Sequence, residues 1–220
     1  AGVVTTAVPD SLAAGFDLAL AEGMTLGLAE DGQGGLDLAA AEQILQALSS
    51  KAVFLAGPGL QRQENLPLIL EQILSNTEVP AVLDAGALWS ITQNPDICRN
   101  AKGPLILTPH PGELAALLDL TTAQIQTDRC AFARQAAKDF NAVVILKGAG
   151  TVIADPAGTL LINSTGNAAL AAAGSGDVLA GAVAAWVAQG LKPLDAAAVA
   201  VYLHGAAGDR LSQEVGLRGG

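Results

Sequence analysis

The stretch Ala142-Val143-Val144-Ile145-Leu146-Lys147-Gly148-Ala149-Gly150-Thr151 decides the fold. Its first five residues are apolar without a break. A strand with one wet face alternates apolar and polar residues, so an unbroken run of this kind is expected where helices cover both faces of a sheet. The switch to Lys147-Gly148-Ala149-Gly150-Thr151 marks the carboxyl end of that strand. A hairpin over residues 151–154 and 159–162 follows, turning through Asp155-Pro156-Ala157-Gly158.

Working outward, short β-branched or apolar runs recur at residues 3–8, 52–55, 81–84 and 105–108. Between them the spacing predicts helices over 37–48, 66–75, 122–140, 177–189 and 195–212, and a short one over 114–118 behind Glu113. Alternation of this kind specifies an α/β fold, a three-layer α/β/α sandwich around a mostly parallel central sheet. No repeat or linker divides the chain, and Asp31-Gly32-Gln33-Gly34-Gly35 reads as a surface loop, so residues 1–220 are expected to form one domain. The chain starts in a strand pattern without Met and stops at Gly219-Gly220, which reads as a domain lacking its N-terminal strand and C-terminal end.

Composition narrows the classes. Hydrophobic residues make up 51% and charged residues 15% of the 220, which excludes disorder and a coiled coil. Aromatics at 3% make the core aliphatic. A net charge of −10 argues against a nucleic-acid backbone as partner, although backbone N–H groups can still hold a nucleotide. Cys98 and Cys130 form no CxxC, and His110 and His204 cannot build a multi-histidine site. A metal would therefore take oxygen ligands, which means magnesium or potassium rather than zinc. No apolar stretch reads as a membrane span and no signal peptide opens the chain, so a soluble cytoplasmic protein is expected.

Chemistry-bearing residues collect at strand ends. Gly174-Ser175-Gly176-Asp177 opens a helix whose N–H groups favour an anion. Asp177 there is read equally well as an N-cap or first-turn residue or as a base that accepts a hydroxyl proton during phosphoryl transfer. Lys147 with Gly148 and Gly150 can cradle a phosphate, or simply turn the chain between two strands. Thr108-Pro109-His110-Pro111-Gly112-Glu113 presents His110 from a proline-fixed loop, while Glu113 suits a first helical turn on dipole grounds alone. Ala56-Gly57-Pro58-Gly59 and Leu83-Asp84-Ala85 also close strands. In an open α/β sheet these carboxyl ends are where ligands bind. His204 is read as a packed, hydrogen-bonded helix histidine, and Asp209 with Arg210 as surface or a structural pair.

The order of these motifs, together with Thr165-Gly166-Asn167 and Tyr202-Leu203-His204-Gly205, resembles the ADP/ATP-dependent NAD(P)H-hydrate dehydratases of the ribokinase-like superfamily. The resemblance covers nearly the whole chain, and its most diagnostic pieces are the His-Pro-Gly-Glu and Lys-Gly-Ala-Gly-Thr loops found together. It implies a metabolite-repair lyase that returns NADHX or NADPHX to NADH or NADPH, by phosphorylating the hydroxyl and then losing phosphate. ADP or ATP would be co-substrate, with Mg²⁺. Lys147, Gly148, Ala149, Gly150, Thr151 and Gly176 would contact the AMP part of the nucleotide. Gly59, His110 and Asp177 would contact the hydrate, with Asp177 the base, and Glu113 would help to organise Mg²⁺. The resemblance also implies a homotetramer and an NAD(P)H-hydrate epimerase, fused or separate.

The sequence departs from the family pattern at Gly86, where a second Asp is usual, at Ala168-Ala169-Leu170 in place of Pro-Gly-Met, and at Ala173 in place of Gly. The Gly-Ser-Gly-Asp loop is shared with vitamin and sugar kinases. A hydroxymethylpyrimidine- or hydroxyethylthiazole-type kinase is therefore the alternative, and a nucleotide-binding module without turnover a third reading.

Overall fold

The structure, a computed structural model, describes residues 2–215. Ala1 and the Gly219-Gly220 ending lie outside the described residues. Six strands form the main sheet in chain order: β3 (Phe54–Ala56), β4 (Ala81–Leu83), β5 (Leu105–Leu107), β6 (Ala142–Leu146), β7 (Val152–Ala154) and β8 (Leu160–Ile162). The pairings from β3 to β6 are parallel, and β7 and β8 add as an antiparallel hairpin. β1 (Thr5–Pro9) and β2 (Met24–Leu28) pair in parallel as a separate sheet.

Successive residues of the inner strands feed opposite faces, as the unbroken apolar runs require. Val82, Ile106, Val143 and Ile145 pack under α9 (Ser175–Ala188) and α10 (Pro193–Val215). Leu83, Leu107, Val144 and Leu146 face α3 (Leu66–Leu74), α4 (Ala85–Gln93), α6 (Pro111–Leu117) and α8 (Arg129–Asp139). With so few aromatics, alanines set the spacing: Ala180, Ala184, Ala196, Ala197 and Ala200 let α9 and α10 lie close over the sheet. A third cluster joins Leu28 to α2 (Ala40–Leu48) and α3 through Ile44, Leu48, Ile69 and Ile73.

The predicted sandwich is therefore present, with differences that have local causes. The strand expected over 3–8 is β1, which lies outside the main sheet. Its partner β2 gave little signal, because only Leu28 in it is buried. A Cβ at Gly27 would fall 2.2 Å from Asp10 Oδ1 at the start of α1 (Asp10–Ala19), so a larger residue there would have to turn that side chain aside. The single helix expected over 122–140 is two, α7 (Thr122–Thr127) and α8. Thr121 and Gln124 form a capping box for α7, and the Asp128 side chain accepts from Ala131 N to begin α8. The segments α1, α4 and α5 (Asp96–Arg99) are helices that the periodicity did not announce. Among the described residues no helix is long and apolar enough to cross a membrane.

Candidate active site

Four loops converge at the carboxyl ends of β4, β5 and β6, and Lys147 stands at their centre. Its Nζ donates to Asp84 Oδ1 at 2.8 Å and lies 3.8 Å from Glu113 Oε2. Asp84 ends β4 and is 1% exposed; its Oδ1 also accepts from Ala85 N at 2.9 Å, capping α4. A buried carboxylate needs such donors to remain charged. Ala85 is held at φ 43, a strained conformation for a residue with a Cβ. Gly57 keeps the β3 loop tight against this point, since a Cβ there would fall 1.7 Å from the Asp84 carbonyl.

The Lys147–Thr151 loop is held from beneath. Arg129, the first residue of α8, donates Nη2 to the carbonyls of Leu146 at 3.0 Å and Lys147 at 3.2 Å, and Nη1 to the carbonyl of Ala149. Burial lowers the pKa of its guanidinium below the ordinary arginine value. Thr151 Oγ1 closes the loop onto the Gly148 carbonyl at 2.9 Å. Gly148 and Gly150 take φ of 135 and 60, which only glycine adopts freely.

His110 is the N-cap of α6. Its Nδ1 accepts from the backbone N–H groups of Gly112 at 3.0 Å and Glu113 at 3.2 Å, while His110 N donates to Glu113 Oε2 at 2.8 Å. Nδ1 is therefore the bare nitrogen and Nε2 carries the proton. Nε2 lies 3.6 Å from Glu113 Oε1, with the side chain 57% exposed. The rigid presentation expected of His110 is real, and a capping box supplies it alongside the prolines.

The fourth loop brings the N-terminus of α9. Gly174 is the N-cap, with φ 82, so Asp177 is not itself the cap; it sits exposed at the third helical position, without a hydrogen-bond partner among the described residues. A Cβ on Gly176 would lie 3.3 Å from Lys147 Nζ and 3.9 Å from Asp84 Oδ2, which places this helix end directly over the ion pair. His204, half-buried on α10, braces the loop from behind through a 3.3 Å contact between Nε2 and Ser175 Oγ. The packed role read for His204 agrees with this.

Of the two readings for Asp209 with Arg210, surface residues or a structural pair, the pair does not form. Adjacent helical residues point apart. Asp209 accepts from Gly166 N and Asn167 Nδ2, both at 2.8 Å, and so ties the Thr165–Asn167 loop to α10, while Arg210 pairs with Glu214. That loop is consequently a clamped neighbour of the site, outside the Lys147 cluster.

Beside the cluster a cleft of about 340 Å³ is lined by Leu60, Arg62, Ala85, Gly86, Trp89, His110, Gly112 and Glu113. Gly59, at φ 76, precedes Leu60 on its rim. Position 86 has no room for a side chain: a Cβ would fall 2.3 Å from the Leu60 carbonyl. Among the described residues no group of three or more His, Cys, Asp or Glu side chains could hold a metal. Glu113 offers a hard oxygen donor, suited to Mg²⁺ that arrives on phosphates and keeps most of its ligands from them. A lysine, a helix N-terminus and two glycine-rich loops around one point can bind and polarise phosphoryl groups.

Arg129, Arg62 and Trp89 were not singled out as site residues by the sequence, and Asp84 was placed at a strand end without a partner. Arg129 had a usable signal, because a cation in the first turn of a helix opposes the helix dipole and so implies another duty. The partners of Asp84 had none, since Lys147 is 63 residues away.

The sequence profile of the NAD(P)H-hydrate dehydratases matches residues 1–219. The bifunctional NAD(P)H-hydrate repair enzyme Nnr of Moorella thermoacetica is 45% identical over 218 residues, which is 99% of this chain and 41% of that protein. The chain thus spans about two fifths of that relative. The ADP/ATP-dependent NAD(P)H-hydrate dehydratase of Bacillus subtilis, co-crystallised with ATP/Mg²⁺ and soaked with CoA, superposes with a TM-score of 0.76 at 28% identity, covering 97% of this chain and 73% of that one. Hydroxyethylthiazole kinase from Pyrococcus horikoshii shares the ribokinase-like fold at 19% identity, with a TM-score of 0.69 over 99% of this chain and 84% of its own. Sequence match, fold and the convergent loops agree: this chain belongs to the NAD(P)H-hydrate dehydratase family.

Proposed function

We propose that this chain returns NAD(P)H hydrate to NAD(P)H with ADP or ATP as phosphoryl donor. The observation that carries the reading is the meeting of the Lys147, Asp84, Glu113 and Gly176 loops beside a cleft lined in part by His110. Hydroxide is a poor leaving group, so the hydroxyl oxygen first attacks the terminal phosphorus. Asp177 accepts the hydroxyl proton, and the donor's bridging P–O bond breaks. The C–O bond of the resulting ester then breaks, phosphate leaves, and loss of a proton from the adjacent carbon forms the C=C bond. Asp177 suits the first step because it is exposed, free of partners among the described residues and next to the helix end that attracts the phosphoryl group.

Lys147, Gly148, Ala149, Gly150, Thr151 and Gly176 hold the AMP part of the nucleotide; Gly59, His110 and Asp177 hold the hydrate. Mg²⁺ supplies charge neutralisation on the phosphates when bound, and Glu113 is the residue that would hold it. Residues 1–220 act as one domain, within a cytoplasmic homotetramer, and an NAD(P)H-hydrate epimerase, fused or separate, is the natural partner. The bifunctional Moorella thermoacetica relative supports that last point.

The experiment is recovery of reduced-nicotinamide absorbance from NADHX and NADPHX with Mg²⁺ and either ADP or ATP. Nucleotide-dependent recovery is expected, and Asp177→Asn should lower turnover by about 10²–10⁴ while leaving nucleotide binding intact. Absence of recovery from nucleotide-bound protein, or full activity in Asp177→Asn, would respectively sink the reaction or the base.

A further inference from the structure

Arg62 and Trp89 are a charged and an aromatic cleft residue that neither the ion-pair cluster nor the capping box employs. Arg62 Cζ stands 5.9 Å from the centroid of the Trp89 ring, within cation–π range. Trp89 is half-buried, so the ring is a fixed platform, and Arg62 is exposed above it. Arg62 makes no ion pair or hydrogen bond among the described residues. The other ionic wall of the cleft, Glu113, already faces Lys147 at 3.8 Å and accepts from His110 N. Lys147 is already matched by Asp84 at 2.8 Å, so Arg62 is the cleft cation without a carboxylate partner among the described residues, in a chain whose net charge is −10. A stacked guanidinium with its N–H fork open is suited to phosphate oxygens, which it can take two at a time.

We propose that Arg62, positioned by Trp89, binds a phosphate group of the dinucleotide hydrate and sets how tightly that substrate is held. The inference rests on the reading that this cleft takes the hydrate. Two phosphates share the chemistry: the pyrophosphate, present in both NADHX and NADPHX, and the ribose 2′-phosphate, present only in the latter.

The test measures kcat and KM for both hydrates in the parent protein, Arg62→Ala and Arg62→Lys. In parallel, binding of NAD⁺ and NADP⁺ is followed by quenching of Trp89 fluorescence in a Trp186→Phe background, where Trp89 is the only tryptophan. Arg62→Ala should raise KM about tenfold or more with kcat nearly unchanged, as loss of a charge-assisted bond predicts. Arg62→Lys should fall between, because it keeps the charge and loses the fork. Equal rises for both hydrates assign the pyrophosphate, and a rise confined to NADPHX assigns the 2′-phosphate. KM values within twofold of the parent for both hydrates overturn the proposal. If the parent dehydrates neither hydrate, the functional reading fails on its own. Quenching that still depends on Arg62 then upholds the phosphate site, and quenching indifferent to Arg62 removes it.

Discussion

Replacing Asp84 by Asn removes one charge from the centre of the candidate site while keeping its shape. The Asp84 side chain is 1% exposed and that of Lys147 18%, with 2.8 Å between Oδ1 and Nζ. Breaking a buried pair from one side costs about 3–5 kcal/mol, mostly because the other charge is stranded. In Asp84→Asn the stranded group is the ammonium, which has some access to water and keeps Glu113 at 3.8 Å, so the lower end, about 3 kcal/mol, is expected. Lys147→Met strands the deeper carboxylate and should cost nearer 5 kcal/mol, about the upper end of that range. Changing both residues leaves no stranded charge at the buried Asp84 position, so the double variant should be more stable than Lys147→Met alone. The coupling energy from the cycle should be at least about 2 kcal/mol. Urea unfolding followed by far-UV circular dichroism at fixed pH gives all four corners. Single changes that add to within about 0.5 kcal/mol would refute a direct pair and, with it, the picture of Lys147 as a group fixed in advance by Asp84.

Arg129→Met keeps the aliphatic stem and removes the donors to the Leu146, Lys147 and Ala149 carbonyls. Each charge-assisted bond is worth about 1.5–3 kcal/mol, so nucleotide Kd by titration calorimetry should rise about tenfold or more; an unchanged Kd would mean that Thr151 alone holds the loop. His204 should add a pH dependence to stability. Burial holds its pKa below the ordinary 6.5, so the unfolded chain takes up the proton first as pH falls. Its stabilising contribution is complete above 6.5 and is lost as pH falls through 6.5 to the lower folded value. His204→Gln should flatten the stability profile in that window, and an identical slope would show that another group sets it.

The sandwich was legible because burial on both faces writes itself into consecutive residues, as in Ala142–Leu146, all of them buried. The motif loops were legible for a similar reason: Lys147–Thr151 and Gly174–Asp177 carry their chemistry within a few neighbouring residues. What joins the loops was not. The Asp84–Lys147 pair and the Arg129 brace depend on strands that become neighbours only in the folded sheet. The break at Asp128 was readable as a cap but lay inside an otherwise continuous helical pattern. The separate β1–β2 sheet escaped for another reason, since a half-exposed strand containing Gly27 carries little periodic signal.

The Leu60 carbonyl beside Gly86 has a consequence for how this sequence could change. The family pattern, as the resemblance gives it, places an Asp at this position, yet any Cβ here would fall 2.3 Å from that oxygen. Transplanting the aspartate by itself is therefore a costly single step, because the Leu60 backbone has to shift. Exchanging the Gly57–Leu60 loop first, or in the same stroke, is the cheaper route to the carboxylate. The two segments are epistatic, and the order in which a lineage, or an engineer, visits their combinations is biased by one peptide oxygen.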